Sequence, residues 1–322
     1  MKNGWILGLC LAATVAVQAS AADITVDDKI QPYAKTEGVS GNLVSVGSDT
    51  LANLMTFWVE EFKKQYPNVN VSVESKGSGT APPALIAGTS QLGPMSRQMK
   101  QNEIDDFEKK FGYKPSCVRV AVDALAVFVN KDNAIKGLTL AQVDAIFSKA
   151  HKRGYKEDIT KWGQAGMEGD WAERPISLFG RNPASGTYGF FKEHTLKNGD
   201  YKDTVKTQPG SAAVVQGVTE DRFAIGYSGI GYITPGVRAV PLAEKEGAKF
   251  IEANAENAYS GDYPLARFLY IYFNKDPNKP LDPAVREFLK YVLSKDGQLI
   301  TIKDGYFPVL SVTVGDDVKN VK

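Results

Sequence analysis

Cysteine is nearly absent: Cys10 and Cys117 are the only two, and only Cys117 lies beyond the first 22 residues. One thiol cannot close an internal disulfide, so the fold has to be held by its core. Cys117 therefore reads as a small apolar side chain rather than a nucleophile. Histidine is as scarce. His151 and His194 sit in no motif with an obvious partner, and no Cys/His cluster has metal-ligand spacing. A phosphatase or serine hydrolase acting through Ser78 or Ser185 would lack the base that activates its hydroxyl. No Gly-x-x-x-x-Gly-Lys-Ser/Thr loop is present, so nucleotide hydrolysis belongs elsewhere. The sequence assigns no catalytic residue, no metal and no cofactor.

Charge of one sign is also missing. The chain has 38 basic and 37 acidic residues, and without Lys2 the two are equal. That leaves no basic excess for nucleic acid and no polybasic run for a membrane surface. Long apolar runs are missing too, apart from Trp5 to Val17, which is short for a membrane span. Lys2 precedes that run, and Ala19-Ser20-Ala21 or Ser20-Ala21-Ala22 offers a small-residue cleavage site after it. Residues 1–22 thus read as a secretory signal peptide, and the protein as exported.

What remains is an α/β pattern. After a polar leader, Leu43 to Val46 is a short apolar run, and Leu51, Leu54, Met55, Trp58 and Phe62 recur at helical spacing. Val69, Val71 and Val73 alternate as in a strand. Pro82 and Pro83 suit the first turn of a helix. Strand-like and helix-like segments keep alternating, which argues for mainly parallel sheets flanked by helices. Two long β-rich segments, Val118 to Asn130 with Asp123 in its middle and Leu265 to Asn274, bracket a complete α/β unit. They read as two crossings between lobes. Lobe one is expected at residues 23–122 and 264–322, and lobe two at residues 123–263.

Four strand-end loops carry small and hydroxylated residues. They are Val46-Gly47-Ser48-Asp49-Thr50, Lys76-Gly77-Ser78-Gly79-Thr80, Gly93-Pro94-Met95-Ser96-Arg97 and Gly180-Arg181-Asn182-Pro183-Ala184-Ser185-Gly186-Thr187. The first, second and fourth lead into a helix start. Glycine lets backbone approach a ligand, helix starts attract anions, hydroxyls donate, and arginine matches a tetrahedral oxyanion. Taken singly, Ser48, Asp49, Ser78 and Thr187 are also ordinary helix caps. The signal lies in their recurrence at successive strand ends, where open α/β sheets bind ligands.

These loops, above all Phe179 to Thr187, resemble those of the phosphate-binding proteins of bacterial phosphate ABC transporters, within the type II periplasmic binding protein class. Gly137-Leu138-Thr139-Leu140 to Ile146-Phe147, Ala224-Ile225-Gly226-Tyr227 and Tyr263-Pro264 are similar to that family as well. The resemblance implies a monomeric periplasmic receptor that encloses inorganic phosphate between two lobes and delivers it to a membrane permease. It implies ligand roles for Ser78 and for Arg181, Ser185, Gly186 and Thr187; Gly79, Ser96 and Arg97 are candidates on the chemistry of their loops. Thr50, or its neighbours Ser48 and Asp49, stands at the first-loop threonine. Many members carry Ser-Asp where this chain has Ser96-Arg97, and that aspartate accepts the proton of bound phosphate. With it missing, Asp49 is left either as the substitute acceptor or as a helix cap. A receptor for another oxyanion such as sulfate is the alternative reading.

Overall fold

The computed structural model describes residues 24–321; the signal-peptide reading of residues 1–22 lies outside them. Two parallel strands, β1 (Gly41–Val46) and β2 (Val69–Glu74), open the first lobe. The helix between them, α1 (Ala52–Gln65), buries Leu54, Met55, Trp58 and Phe62. These side chains recur every three or four residues and so share one face. Next come α2 (Ala81–Ala87), with its prolines in the first turn, the short strand β3 (Gly93–Met95) and α3 (Gln101–Phe111).

The long strand β4 (Ser116–Asn130) then runs into the second lobe. There follow β5 (Leu138–Thr139) and α4 (Leu140–Phe147), capped by the Thr139 hydroxyl as its sequence predicts. The chain continues through β6 (Ser177–Arg181), α5 (Gly186–His194), β7 (Lys206–Gln208), α6 (Ser211–Glu220) and β8 (Ala224–Gly229). Two further short strands, β9 (Val237–Ala239) and β10 (Leu242–Ala243), precede α7 (Ala255–Ser260). The return strand β11 (Ala266–Phe273) leads back to α8 (Pro283–Leu293), α9 (Lys295–Lys303) and α10 (Ser311–Asp317).

The central sheet has the order β3-β11-β4-β8-β6-β7, with β9 also on β4. Its outer pairs β6–β7 and β6–β8 are parallel, as alternating strands and helices require. The crossing strands are antiparallel: β11 runs against both β3 and β4, and β4 runs against β8. The reason is topological, since β11 carries the chain back along the route β4 took outward. From Ser116 to Ala124, β4 pairs with β11; from Leu125 to Val129 it pairs with β8. One hydrophobic cluster runs through both lobes, from Trp58 and Phe62 through Val120, Leu125 and Val127 to Phe147 and Tyr227.

The polar leader is tied to the first lobe. Asp27 Oδ2 accepts Ser311 N–H at 3.0 Å, Tyr33 N–H donates to Asp296 Oδ2 at 2.7 Å, and Gln31 O accepts Lys295 N–H. Cys117 is partly buried, and burial pushes its thiol up to about 11, which removes it as a nucleophile near neutral pH.

Candidate functional site

The four strand-end loops meet between the lobes. The first is shaped by Gly47, where a Cβ would lie 2.1 Å from Pro94 O. That close approach lets Ser48 N–H reach Pro94 O at 2.8 Å and brings the first and third loops together. Ser48 Oγ caps the 3-10 turn Asp49–Leu51 by accepting Thr50 N–H, and donates to Ser96 Oγ at 3.1 Å. Ser78 is fully buried; its Oγ accepts Ser96 N–H at 3.0 Å and lies 3.3 Å from Ser96 Oγ. Gly77 holds a positive φ of 117°, which glycine tolerates, and turns the second loop toward Ala184.

The opposite wall comes from the second lobe. Ser185 Oγ caps α5 through Thr187 N–H and Tyr188 N–H. The loops touch directly across the cleft. Gly79 N–H donates to Ala184 O at 3.0 Å, and Thr50 Oγ1 lies 2.9 Å from Thr187 Oγ1. Gly186 fits only because it has no side chain: a Cβ would lie 2.3 Å from Ser78 Oγ and 2.6 Å from Ser96 Oγ.

Two buried guanidinium groups complete the cluster. Arg181, 1% exposed, leaves the end of β6 and donates from Nη1 to Ser211 Oγ at 2.6 Å. Its Nη2 is 3.1 Å from Asp49 Oδ2, which also accepts Ser211 N–H at 2.7 Å. Burial pulls the Arg181 guanidinium below its ordinary value, and the Asp49 charge opposes this. Arg181 Nε is buried and has no acceptor among the described residues. A stack of Phe191 on Tyr227, with ring centres 3.9 Å apart, backs this wall, and Tyr227 Oη accepts Arg181 N–H. The second guanidinium, Arg267, pairs with the fully buried Asp123 at 2.8 Å. It also donates to Ser96 O at 2.8 Å and Thr187 Oγ1 at 2.9 Å. Two cations thus stand against two carboxylates, and the remaining groups are neutral hydroxyls. A cluster of this kind suits an oxyanion: it is rich in donors and carries no net charge that would hold the anion against release.

A family model described as the PBP superfamily domain matches residues 32–296. The "Phosphate-binding protein PstS" of Pseudomonas aeruginosa is 57% identical over 309 residues, covering 96% of each chain. The chain belongs to the PstS family of the PBP superfamily. More distant relatives keep the likeness: Protein SphX of Synechococcus elongatus is 30% identical over 79% of this chain and 73% of its own. Among solved structures, a putative phosphate ABC transporter substrate-binding protein with bound phosphate, from Clostridium perfringens, superposes with a TM-score of 0.70. It is 26% identical, and the match covers 84% of this chain and 100% of that one.

In this PstS family member, Ser48, Asp49, Thr50, Ser78, Gly79, Ser96, Arg181, Ser185, Gly186 and Thr187 come together as described. Arg97 lines the cleft beside Ser185, Gly189 and Arg267, but its guanidinium forks onto Glu103 in the first turn of α3 at 2.7 and 2.6 Å and onto Gln98 O, and makes no hydrogen bond to the cluster among the described residues. Ser48 caps the turn that Asp49 opens, while Asp49 itself accepts the first N–H of α6 from across the cleft. Sequence reasoning missed Arg267 and Ser211, and took Asp123 only as an oddity within an apolar run. Asp123 amid the apolar residues after Arg119, and Arg267 as the one charge of β11, were the available signal of a buried pair. For Ser211 the signal was Pro209-Gly210-Ser211, a small-residue helix start of the same kind as the others.

Proposed function

We propose that this chain is an exported, periplasmic receptor that captures inorganic phosphate between its lobes and hands it to the membrane permease of an ABC transporter. The observation that carries the reading is the buried cluster of Ser48, Thr50, Ser78, Ser96 and Thr187, joined through the Asp49 loop to Arg181, whose Nε lacks an acceptor among the described residues. A buried donor without a partner is costly, and an oxyanion supplies one. The names that the relatives carry support phosphate as that anion. The protein acts as a monomer, with lobe one at residues 23–122 and 264–322 and lobe two at residues 123–263. The change of β4 partner after Ala124 supports that division.

It binds and does no chemistry on its ligand. Neither serine meets an imidazole: Ser78 bonds to Ser96 and Ser185 caps α5, while His151 pairs with Asp158 and His194 lies over Phe190. Asp49 supplies selectivity. Its Oδ2 is taken by Arg181 and Ser211, whereas Oδ1 accepts no hydrogen bond among the described residues and is left for the proton of hydrogenphosphate. Sulfate has no such proton to give. Calorimetry on protein refolded free of anion tests both points. Phosphate should bind at about micromolar affinity, and sulfate at least about a hundredfold more weakly. Asp49→Asn should narrow that gap. Equal binding of the two anions by the native protein would remove phosphate as the ligand. A native protein that discriminates, beside an Asp49→Asn protein that does so equally well, would remove only the role of Asp49.

A further inference from the structure

The Asp123–Arg267 pair lies where three parts of the molecule meet. Asp123 stands in β4 one residue before Ala124, where pairing with β11 ends, and its Oδ1 accepts Ile230 N–H at 2.9 Å just beyond β8. Arg267, opposite Asp123 in β11, gives two N–H groups to Asp123 Oδ2 at 2.9 and 2.8 Å. The same guanidinium reaches Ser96 O in the first lobe, Thr187 Oγ1 in the second, and the face of Phe190 at 5.2 Å. A single side chain therefore touches the hinge, the anion cluster and both walls of the cleft.

We propose that Asp123 and Arg267 form a latch that couples the hinge to the anion site and sets how long the closed lobes hold their ligand. The proposal rests on the phosphate reading above and adds a residue to it. The contacts of Arg267 fall into two sets. The contact to Asp123 joins the paired strands β4 and β11 at the crossing itself, and the contact to Ser96 O lies within the first lobe, so both survive opening. Those to Thr187 and Phe190 cross the cleft and exist only while the lobes are together. Only a contact that differs between two states biases their equilibrium, so the second set favours closure. Because Asp123 keeps Arg267 neutralised, opening does not strand a bare charge, and the latch is reversible. Thr187 gains direction from it. With one lone pair filled by Arg267 and a hydrogen bond shared with Thr50, its hydroxyl has few orientations left.

The test is stopped-flow measurement of phosphate association and release, beside thermal melting without phosphate. The variant is Arg267→Gln combined with Asp123→Asn, which leaves no unpaired buried charge. Release should become about tenfold faster or more, a larger change than the one in association, with the double variant still melting in one cooperative transition without phosphate. A folded double variant that releases phosphate at the native rate overturns the latch while leaving the receptor reading intact. A native protein that binds no phosphate overturns both. Phe190→Leu removes only the stacking contact and covers the case in which the double variant does not fold. Its release should be about two- to fivefold faster, and an unchanged rate overturns the latch equally.

Discussion

Gly186 leaves no room for a methyl group, because Ser78 Oγ and Ser96 Oγ already occupy the space a Cβ would need. Gly186→Ala should therefore push the two lobes' loops apart and weaken phosphate binding by about ten- to a hundredfold, measured by calorimetry. Gly79→Ala should cost less, since its Cβ would meet Ala184 O at a milder 3.3 Å. At this scale the hydroxyl and glycine loops were legible, because small residues repeated after successive strands let backbone and hydroxyls close in on one point. The place of Arg97 beside the cleft was legible and its partner was not: an arginine's reach lets it choose among carboxylates, and its guanidinium is on Glu103. Which hydroxyl caps a turn and which faces the ligand depends on a single residue of register. Ser48 caps whereas Thr50 faces Thr187, and spacing alone does not decide that.

Asp304 ends α9, with its backbone N–H on Ile300 O, at a helix terminus whose carbonyls already carry partial negative charge. Its Oδ2 is buried without a partner among the described residues, and burial raises the carboxyl to about 7. The folded protein then holds a proton that the unfolded chain, titrating near its ordinary value of 3.8, has lost. Stability from this group is fully present below about pH 4 and is lost as the pH rises to about 7. Asp304→Asn should be flat across that window, so its melting temperature should gain on native at pH 8 relative to pH 5. A constant difference between the two proteins across that range would contradict the assignment. Elements with a strong period were readable from sequence: α1 by its apolar face, β2 by alternation, β4 and β11 by their length. The 3-10 turns Asp49–Leu51 and Ser78–Thr80 were not, since three residues carry no period. The first leaves α1 to start at Ala52, just after Leu51, the first of the helically spaced apolar residues.

The two lobes were legible as two long extended segments around an α/β unit. The antiparallel pairing of those segments was not, because strand direction follows the route of the whole chain rather than any local pattern. The feature with the widest consequence is β4, which pairs with β11 over its first half and with β8 over its second. A strand with two owners makes neither lobe expendable. Melting one lobe withdraws a central strand from its neighbour and opens the hydrophobic cluster they share. Scanning calorimetry should accordingly record one transition, with calorimetric and van't Hoff enthalpies in agreement, where two independent bodies would give two peaks. The same molecule would then be flexible in function and indivisible in unfolding. A lesion in the apolar part of β4 away from the cleft would be felt as loss of the entire protein.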